Sequence, residues 1–231
     1  MSQHLQGDGF EVYPWRPVLD GAGGVLPASL NLFSFYRSAW VEPELASLWM
    51  SELSATLPWT QPSILIFGRR VPVPRCQVWM GDADASYRYS GLDNRPEPWS
   101  QRVLEIRQRL EQTCGRRFNS VLINLYRDGR DSNGWHSDDE PELGEEPFIA
   151  SLSLGASRRF LMRARDDHSC KVEQVLEHGS LLVRGGRTQA LWQHCIPKQM
   201  RVDKPRLNLT FRWVASSKLA TLGHVGPRKG L

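Results

Sequence analysis

A chain of 231 residues with 40% hydrophobic and 23% charged side chains is long enough to bury a sizeable core, which excludes a disordered or fibrous class. The net charge of +4 and pI near 9.0 permit a polyanionic partner such as nucleic acid without demanding one. There is no run of about 18 apolar residues to cross a membrane, no basic-then-apolar leader at the N-terminus, and no Cys-x-x-Cys among Cys76, Cys114, Cys170 and Cys195. Scattered cysteines argue against a disulfide framework or a zinc knuckle and favour a reducing, cytoplasmic setting, nuclear in a eukaryotic cell.

In chain order, residues 1–32 are rich in Gly and Pro and read as an irregular arm. Leu45, Leu48, Trp49 and Leu53 recur at helical spacing and predict an amphipathic helix from Pro43 to about Leu57. Ile64-Leu65-Ile66-Phe67 predicts a short apolar strand, the prolines at 72 and 74 force an extended course, and Gln77–Met80 and Tyr87–Gly91 read as further strands. A second helix is expected from about Pro98 to Thr113 on the stripe Val103, Ile106 and Leu110, with Gly115 as a left-handed cap. From Asn119 the pattern changes to strands: 119–126, 148–154, 159–162, 172–176, 180–183 and 206–213. Two helices followed by many short strands predict an α+β fold, with helices packed on one face of a β-sandwich or jelly roll. Residues 215–231 form a basic tail.

The chemistry concentrates around His136-x-Asp138, two residues apart at a strand end and so projecting to one side. With His194 they make the two-histidine, one-carboxylate set that holds Fe(II) on one face and leaves positions open. The alternative is that His136 and Asp138 are turn residues bonded to local backbone and that His194 is a packed core histidine. The segment Arg206–Arg212 is a second signal. Alternation puts Arg206, Asn208, Thr210 and Arg212 on one face and Leu207, Leu209 and Phe211 on the other. Arginines facing inward are costly without anionic ligands, and a dicarboxylate suits a forked guanidinium; an exposed strand face meeting water is the alternative.

At these positions the chain resembles the AlkB family of Fe(II)- and 2-oxoglutarate-dependent dioxygenases, closest to the branch of human homologues two and three. The resemblance rests on Asn124-x-Tyr126-x-Asp128-Gly129, His136-x-Asp138-Asp139-Glu140, Ile149–Gly155, His178-Gly179-Ser180-Leu181-Leu182, His194 and Pro205-Arg206-x-Asn208-x-Thr210-Phe211-Arg212, over about residues 60–214. It implies a double-stranded β-helix, a single dioxygenase domain over 33–214, and a substrate-lid segment at about 63–91. It implies His136, Asp138 and His194 as Fe(II) ligands, and Asn124, Tyr126, Arg206, Asn208, Thr210 and Arg212 around 2-oxoglutarate.

The implied reaction is oxidative demethylation of 1-methyladenine and 3-methylcytosine in single- or double-stranded DNA, with RNA as a further polymer. It consumes O2 and releases succinate, CO2 and formaldehyde. A base in a duplex must be flipped out to react, so substrate contacts are expected from Tyr87 and Tyr89 in the lid, from Asp139 and Glu140, and from Arg75. Phe67 is expected as an apolar wedge in the duplex. Arg69, Arg70, Arg116, Arg117, Arg158 and Arg159 are candidates for phosphate contacts. The protein is expected to act as a monomer. The other readings are a 2-oxoglutarate-dependent hydroxylase of a target that is not nucleic acid, and a metal-dependent hydrolase.

Overall fold

Alternation of side chains along antiparallel strands decides what each face of this protein covers. The computed structural model describes residues 16–17, 33–66, 68–85, 87–89 and 92–215, with the backbone course alone at 16–17, 66, 87–89 and 92–94. The first half holds β1 (Arg16–Pro17), β2 (Phe33–Arg37), α1 (Pro43–Thr56), β3 (Ser63–Ile66), β4 (Arg69–Pro72), β5 (Cys76–Gly81), β6 (Tyr87–Tyr89), β7 (Leu92–Asn94) and α2 (Gln101–Cys114). The second half holds β8 (Ser120–Tyr126), β9 (Asn133–His136), β10 (Ile149–Gly155), β11 (Arg158–Ala164), β12 (Lys171–Leu176), β13 (Ser180–Gly185), the helical turn α3 (Thr188–Leu191), β14 (Trp192–Ile196) and β15 (Arg206–Arg212).

The larger sheet has the order β2-β13-β10-β15-β8-β5 and the smaller β1-β12-β11-β14-β9. From β8 onward the chain passes back and forth between the two sheets, which leaves β8, β15, β10 and β13 facing β9, β14, β11 and β12. That is a double-stranded β-helix, the jelly roll expected from the strand pattern. The expected arm is described only at Arg16–Pro17, which extends the smaller sheet by pairing with Val172 and Glu173. The basic tail lies outside the described residues beyond Ala215.

Both helices lie on the outer face of the larger sheet. Trp49 and Leu53 of α1 and Val103, Ile106 and Leu110 of α2 join Val121, Ile123, Leu152, Leu154, Leu181, Leu207, Leu209 and Phe211 in one apolar core. A smaller cluster between the sheets is built from Tyr36, Tyr126, Phe160, Met162, Val172, Leu182 and Trp192. Ser100 caps α2 by accepting from the Val103 N–H at 3.4 Å, so the helix starts later than Pro98. Gly115 closes it with φ of 61°, a conformation that side chains with a Cβ resist.

One expectation needs correction. Leu48 is 55% exposed, and the buried stripe of α1 is Ala46, Trp49 and Leu53. The helical phase carries residue 48 away from the sheet. The short apolar strand expected from Ile64 is present as β3, and it pairs with β4 as a hairpin separate from the main sheets. Residues 188–191 form a helical turn, and the strand that carries His194 begins at Trp192.

This core makes an expected contrast. Leu53→Ala should cost about 2–5 kcal/mol through lost burial and a residual cavity, and Leu48→Ala, one turn away on the exposed face, less than about 0.5 kcal/mol. Urea denaturation of both variants measures the difference.

Candidate metal and co-substrate site

The smaller sheet brings the two histidines together. His136 at the end of β9 stands directly opposite His194 on β14, with ring centres 4.2 Å apart. Asp138 follows two residues later, and one ligand atom from each of the three lies within 4.8 Å of the others. Local contacts fix the group. The Gly134 carbonyl lies 2.8 Å from His136 Nδ1, which places the proton there and leaves the Nε2 lone pair to accept from Asn133 Nδ2 at 3.2 Å, with Asp138 Oδ1 4.0 Å away. Ser137 Oγ donates to the Trp192 carbonyl at 2.8 Å, and the Asp138 N–H to Gln189 Oε1 at 3.0 Å, so the connecting backbone is tied to α3 and β14.

Asp138 is 2% exposed. It accepts from Arg212 Nη2 at 2.6 Å and from Arg184 Nη2 at 3.0 Å. Burial pushes its carboxyl up, but Arg212, with Arg184 beside it, outweighs burial and holds it well below the usual carboxylate range. Burial pushes both histidines down, His194 well below its ordinary value with Arg184 adding to the effect, while Asp138 partly offsets the shift at His136. An ionised carboxylate and two neutral imidazoles are the protonation states that a divalent metal needs from its ligands. The set fits Fe(II).

The inner face of β15 continues the site as its alternation predicts. Arg206, 1% exposed, donates from Nη2 to Ser153 Oγ at 2.9 Å and to Asn208 Oδ1 at 2.8 Å, and Asn208 Nδ2 donates to Thr210 Oγ1 at 2.6 Å. The guanidinium lies 5.3 Å from the Tyr126 ring centre. Burial draws its pKa down to about 10, so it remains charged at neutral pH. Its Nε and Nη1 have no protein partner, nor does Arg212 Nε. Unpartnered donors on buried guanidiniums are costly, and a small dicarboxylate would satisfy them. The residues therefore fit 2-oxoglutarate as well as the metal.

Asn124 pairs across the sheet with Asn208, and its Oδ1 accepts from Arg75 Nε at 2.9 Å and Gln77 Nε2 at 2.8 Å. Arg75 also donates to the Ser132 carbonyl at 3.3 Å, so it is held inward, beside the residues expected around the co-substrate. Arg158 is a correction to the expected phosphate contacts. It is 1% exposed and bonds the carbonyls of Asp128, Asp131 and Pro197 and the Gln199 side chain. Arg159 is engaged with Glu173 at 2.7 Å. Asp139 is paired with Arg165, and Glu140 is exposed. Phe67 and the side chains of Tyr87 and Tyr89 lie outside the described residues, although Tyr87–Tyr89 pairs with Leu92–Asn94 as a hairpin. Sequence reasoning missed Arg184, whose one signal is a cation closing the apolar run Leu181-Leu182-Val183.

The family model described as the 2OG-Fe(II) oxygenase superfamily matches residues 35–212. The human protein named alpha-ketoglutarate-dependent dioxygenase alkB homolog 3 is 41% identical over 214 residues, 87% of this chain and 74% of that protein. The mouse protein named DNA oxidative demethylase ALKBH2 is 40% identical over 162 residues, 67% of this chain and 68% of that protein. The solved structure of OsALKBH1 superposes with a TM-score of 0.57 at 16% identity over 80% of this chain and 98% of that one, a likeness of fold.

The depressed histidines set a pH dependence. Below the ordinary histidine value of 6.5 the unfolded chain takes up protons at 136 and 194 that the folded site resists, so metal-free stability should fall as pH drops. Denaturant midpoints between pH 7.5 and 5.5 are expected to decline, and less steeply in His194→Gln; a flat wild-type profile would contradict the buried, neutral pair.

Proposed function

Because this chain belongs to the 2OG-Fe(II) oxygenase superfamily, we propose that it is an oxidative demethylase that repairs N-alkylated bases in DNA, with His136, Asp138 and His194 holding the iron. Its enzyme class is that of a dioxygenase dependent on Fe(II) and 2-oxoglutarate. The observation that carries the residue assignment is the pair of guanidiniums, Arg206 buried and Arg212 half-buried, whose buried donors have no partner on the strand that borders the triad.

Bound iron, with 2-oxoglutarate and O2, supplies the oxidant that hydroxylates an N-methyl carbon, giving succinate and CO2 and, once the carbon leaves nitrogen, formaldehyde. The chain's residues prepare for this. Arg206 binds the remote carboxylate of 2-oxoglutarate, backed by Ser153, Asn208 and the Tyr126 ring. Arg212 spans the interval between that pocket and Asp138, and holds the carboxylate charged and oriented. The Gly134 carbonyl fixes the His136 tautomer so that Nε2 is the atom the ring would offer a metal. Thr210 and Asn124 complete the polar wall. No side chain must act as a nucleophile, because the bond is cleaved after oxidation.

The substrate class is supported by the relatives, among them proteins named DNA oxidative demethylase. A physical feature agrees. On the β3–β4 hairpin Leu65 is 71% exposed, Ile64 43% and Val71 40%, beside exposed Arg69 and Arg70. Apolar and cationic groups side by side suit a surface that meets stacked bases and phosphates. In this reading Phe67, which follows Ile66 in sequence, fills the gap left by a flipped base. Tyr87 and Tyr89 wall the base pocket, and Asp139 and Glu140 border it. Arg75 acts through Asn124. RNA carrying the same lesions is a second substrate, and the enzyme acts as a monomer in the cytoplasm or, in a eukaryotic cell, the nucleus. Among the described residues no helix is long and apolar enough to cross a membrane.

Turnover and binding assays test this reading. Turnover of an oligonucleotide containing 1-methyladenine, followed by succinate and restored adenine, should vanish in His136→Ala. In Arg206→Ala the KM for 2-oxoglutarate should rise about 10- to 150-fold, the range for losing a hydrogen bond to a charged group. Phe67→Ala should lower repair of duplex and leave single-strand repair intact, and equal loss on both would remove the wedge. Succinate formation without base repair would point to another N-methylated target.

A further inference from the structure

Arg184 stands among the candidate metal ligands, bonded to Asp138 but with no role toward the co-substrate in the reading above. It lies on β13, where alternation sends Leu181 and Val183 to the helix-side core and Leu182 and Arg184 inward between the sheets. The side chain is 2% exposed. Nη2 donates to Asp138 Oδ2 at 3.0 Å, and Nη1 lies 3.1 Å from His194 Nδ1 and 3.2 Å from His194 Nε2. Its guanidinium carbon sits 5.3 Å from the Phe160 ring centre, and Nε has no partner.

The charges here do not balance. One carboxylate, Asp138, faces two guanidiniums, Arg184 and Arg212. Arginine does not lose its proton in proteins, and burial leaves these charges poorly screened by salt. A divalent ion entering alone therefore meets excess positive charge, whereas a dianion is drawn in. Hydrogen bonding points the same way. A neutral imidazole has one nitrogen lone pair, so once a metal takes that of His194, Arg184 Nη1 loses its acceptor there. It then joins Nε as a buried donor in need of an anion.

We propose that Arg184 is a specificity-determining residue of the co-substrate site: a buried cation that favours the 2-oxoglutarate dianion and disfavours the metal ion bound alone. The inference rests on the iron and 2-oxoglutarate reading of the site. It makes the holoenzyme's two affinities trade against each other through a single side chain, and lets this chain bind its metal weakly until the dicarboxylate arrives.

Mn(II), which does not turn over, is the probe. Its dissociation constant is read from the free-ion paramagnetic resonance signal. That of 2-oxoglutarate is read by calorimetry at saturating Mn(II), for wild type, Arg184→Gln and Arg184→Lys. The Gln variant keeps a donor and loses the charge. It should bind Mn(II) about tenfold tighter and 2-oxoglutarate about tenfold weaker, about 1.4 kcal/mol in opposite directions. The Lys variant should stay close to wild type for both. Were Arg184 a mere prop for Asp138, both ligands would weaken in the Gln variant, and that result overturns the proposal, as does no change in either. Should Gln fail to fold, the same two titrations on Arg184→Met decide by the same opposite signs. A wild-type protein that binds neither ligand would instead overturn the underlying reading of the site.

Discussion

The ionised carboxylate of Asp138, almost wholly out of water, is the interaction on which the site depends. It belongs to the segment that follows β9 in the smaller sheet, and its two guanidinium partners come from β13 and β15 in the larger. The ion pairs thus join the sheets at the same place where the histidines meet. Removing either partner would leave a buried charge short of compensation, a far larger penalty than the net contribution of a surface pair. Structure and chemistry are not separable there: the contact that ties the sheets also sets the protonation state that a metal ligand requires.

β15 shows how such a polar interior is tolerated. Its inward residues are linked in sequence, Arg206 to Asn208 to Thr210, while Leu207, Leu209 and Phe211 on its other face are fully buried beneath the helices. The apolar face holds the strand in the middle of the larger sheet, flanked by β10 and β8. The polar face is then fixed in place without contributing hydrophobic stabilisation of its own. A strand with the same polar residues at an edge would solvate its arginines and hold no ligand.

The alternation of Arg206–Arg212 was legible in the sequence, since period encodes which residues share a face, whereas the grouping of His136-x-Asp138 with the distant His194 rested on the family resemblance, and the strand pattern alone left a β-sandwich or a jelly roll open. What spacing does not encode is the partner brought from a distant strand. Arg184 reads as a strand end until β13 is seen opposite β14. Arg158 reads as surface charge until four acceptors from two loops surround it. Arg75 likewise turns inward only because β5 pairs with β8 and brings Asn124 within reach. The separate β3–β4 hairpin was not legible either, because a short apolar run looks the same whether it joins a core or stands in solvent.

Arg158 bridges two loops next to the candidate metal site. Its carbonyl acceptors at Asp128 and Asp131 lie in the loop that leads into β9, and its contacts at Pro197 and Gln199 lie in the segment that leaves β14. One guanidinium therefore gauges the distance between the ends of the two strands that carry the histidines. Those strands already depart from regular register between His194 and Ile196. A slip of one residue would turn His136 to the opposite face. The length of the loop from 127 to 132 is accordingly constrained, as are its buried Asp131 and its Gly129, where a Cβ would meet the Gln199 carbonyl: an inserted residue there would act on the metal site without touching a ligand.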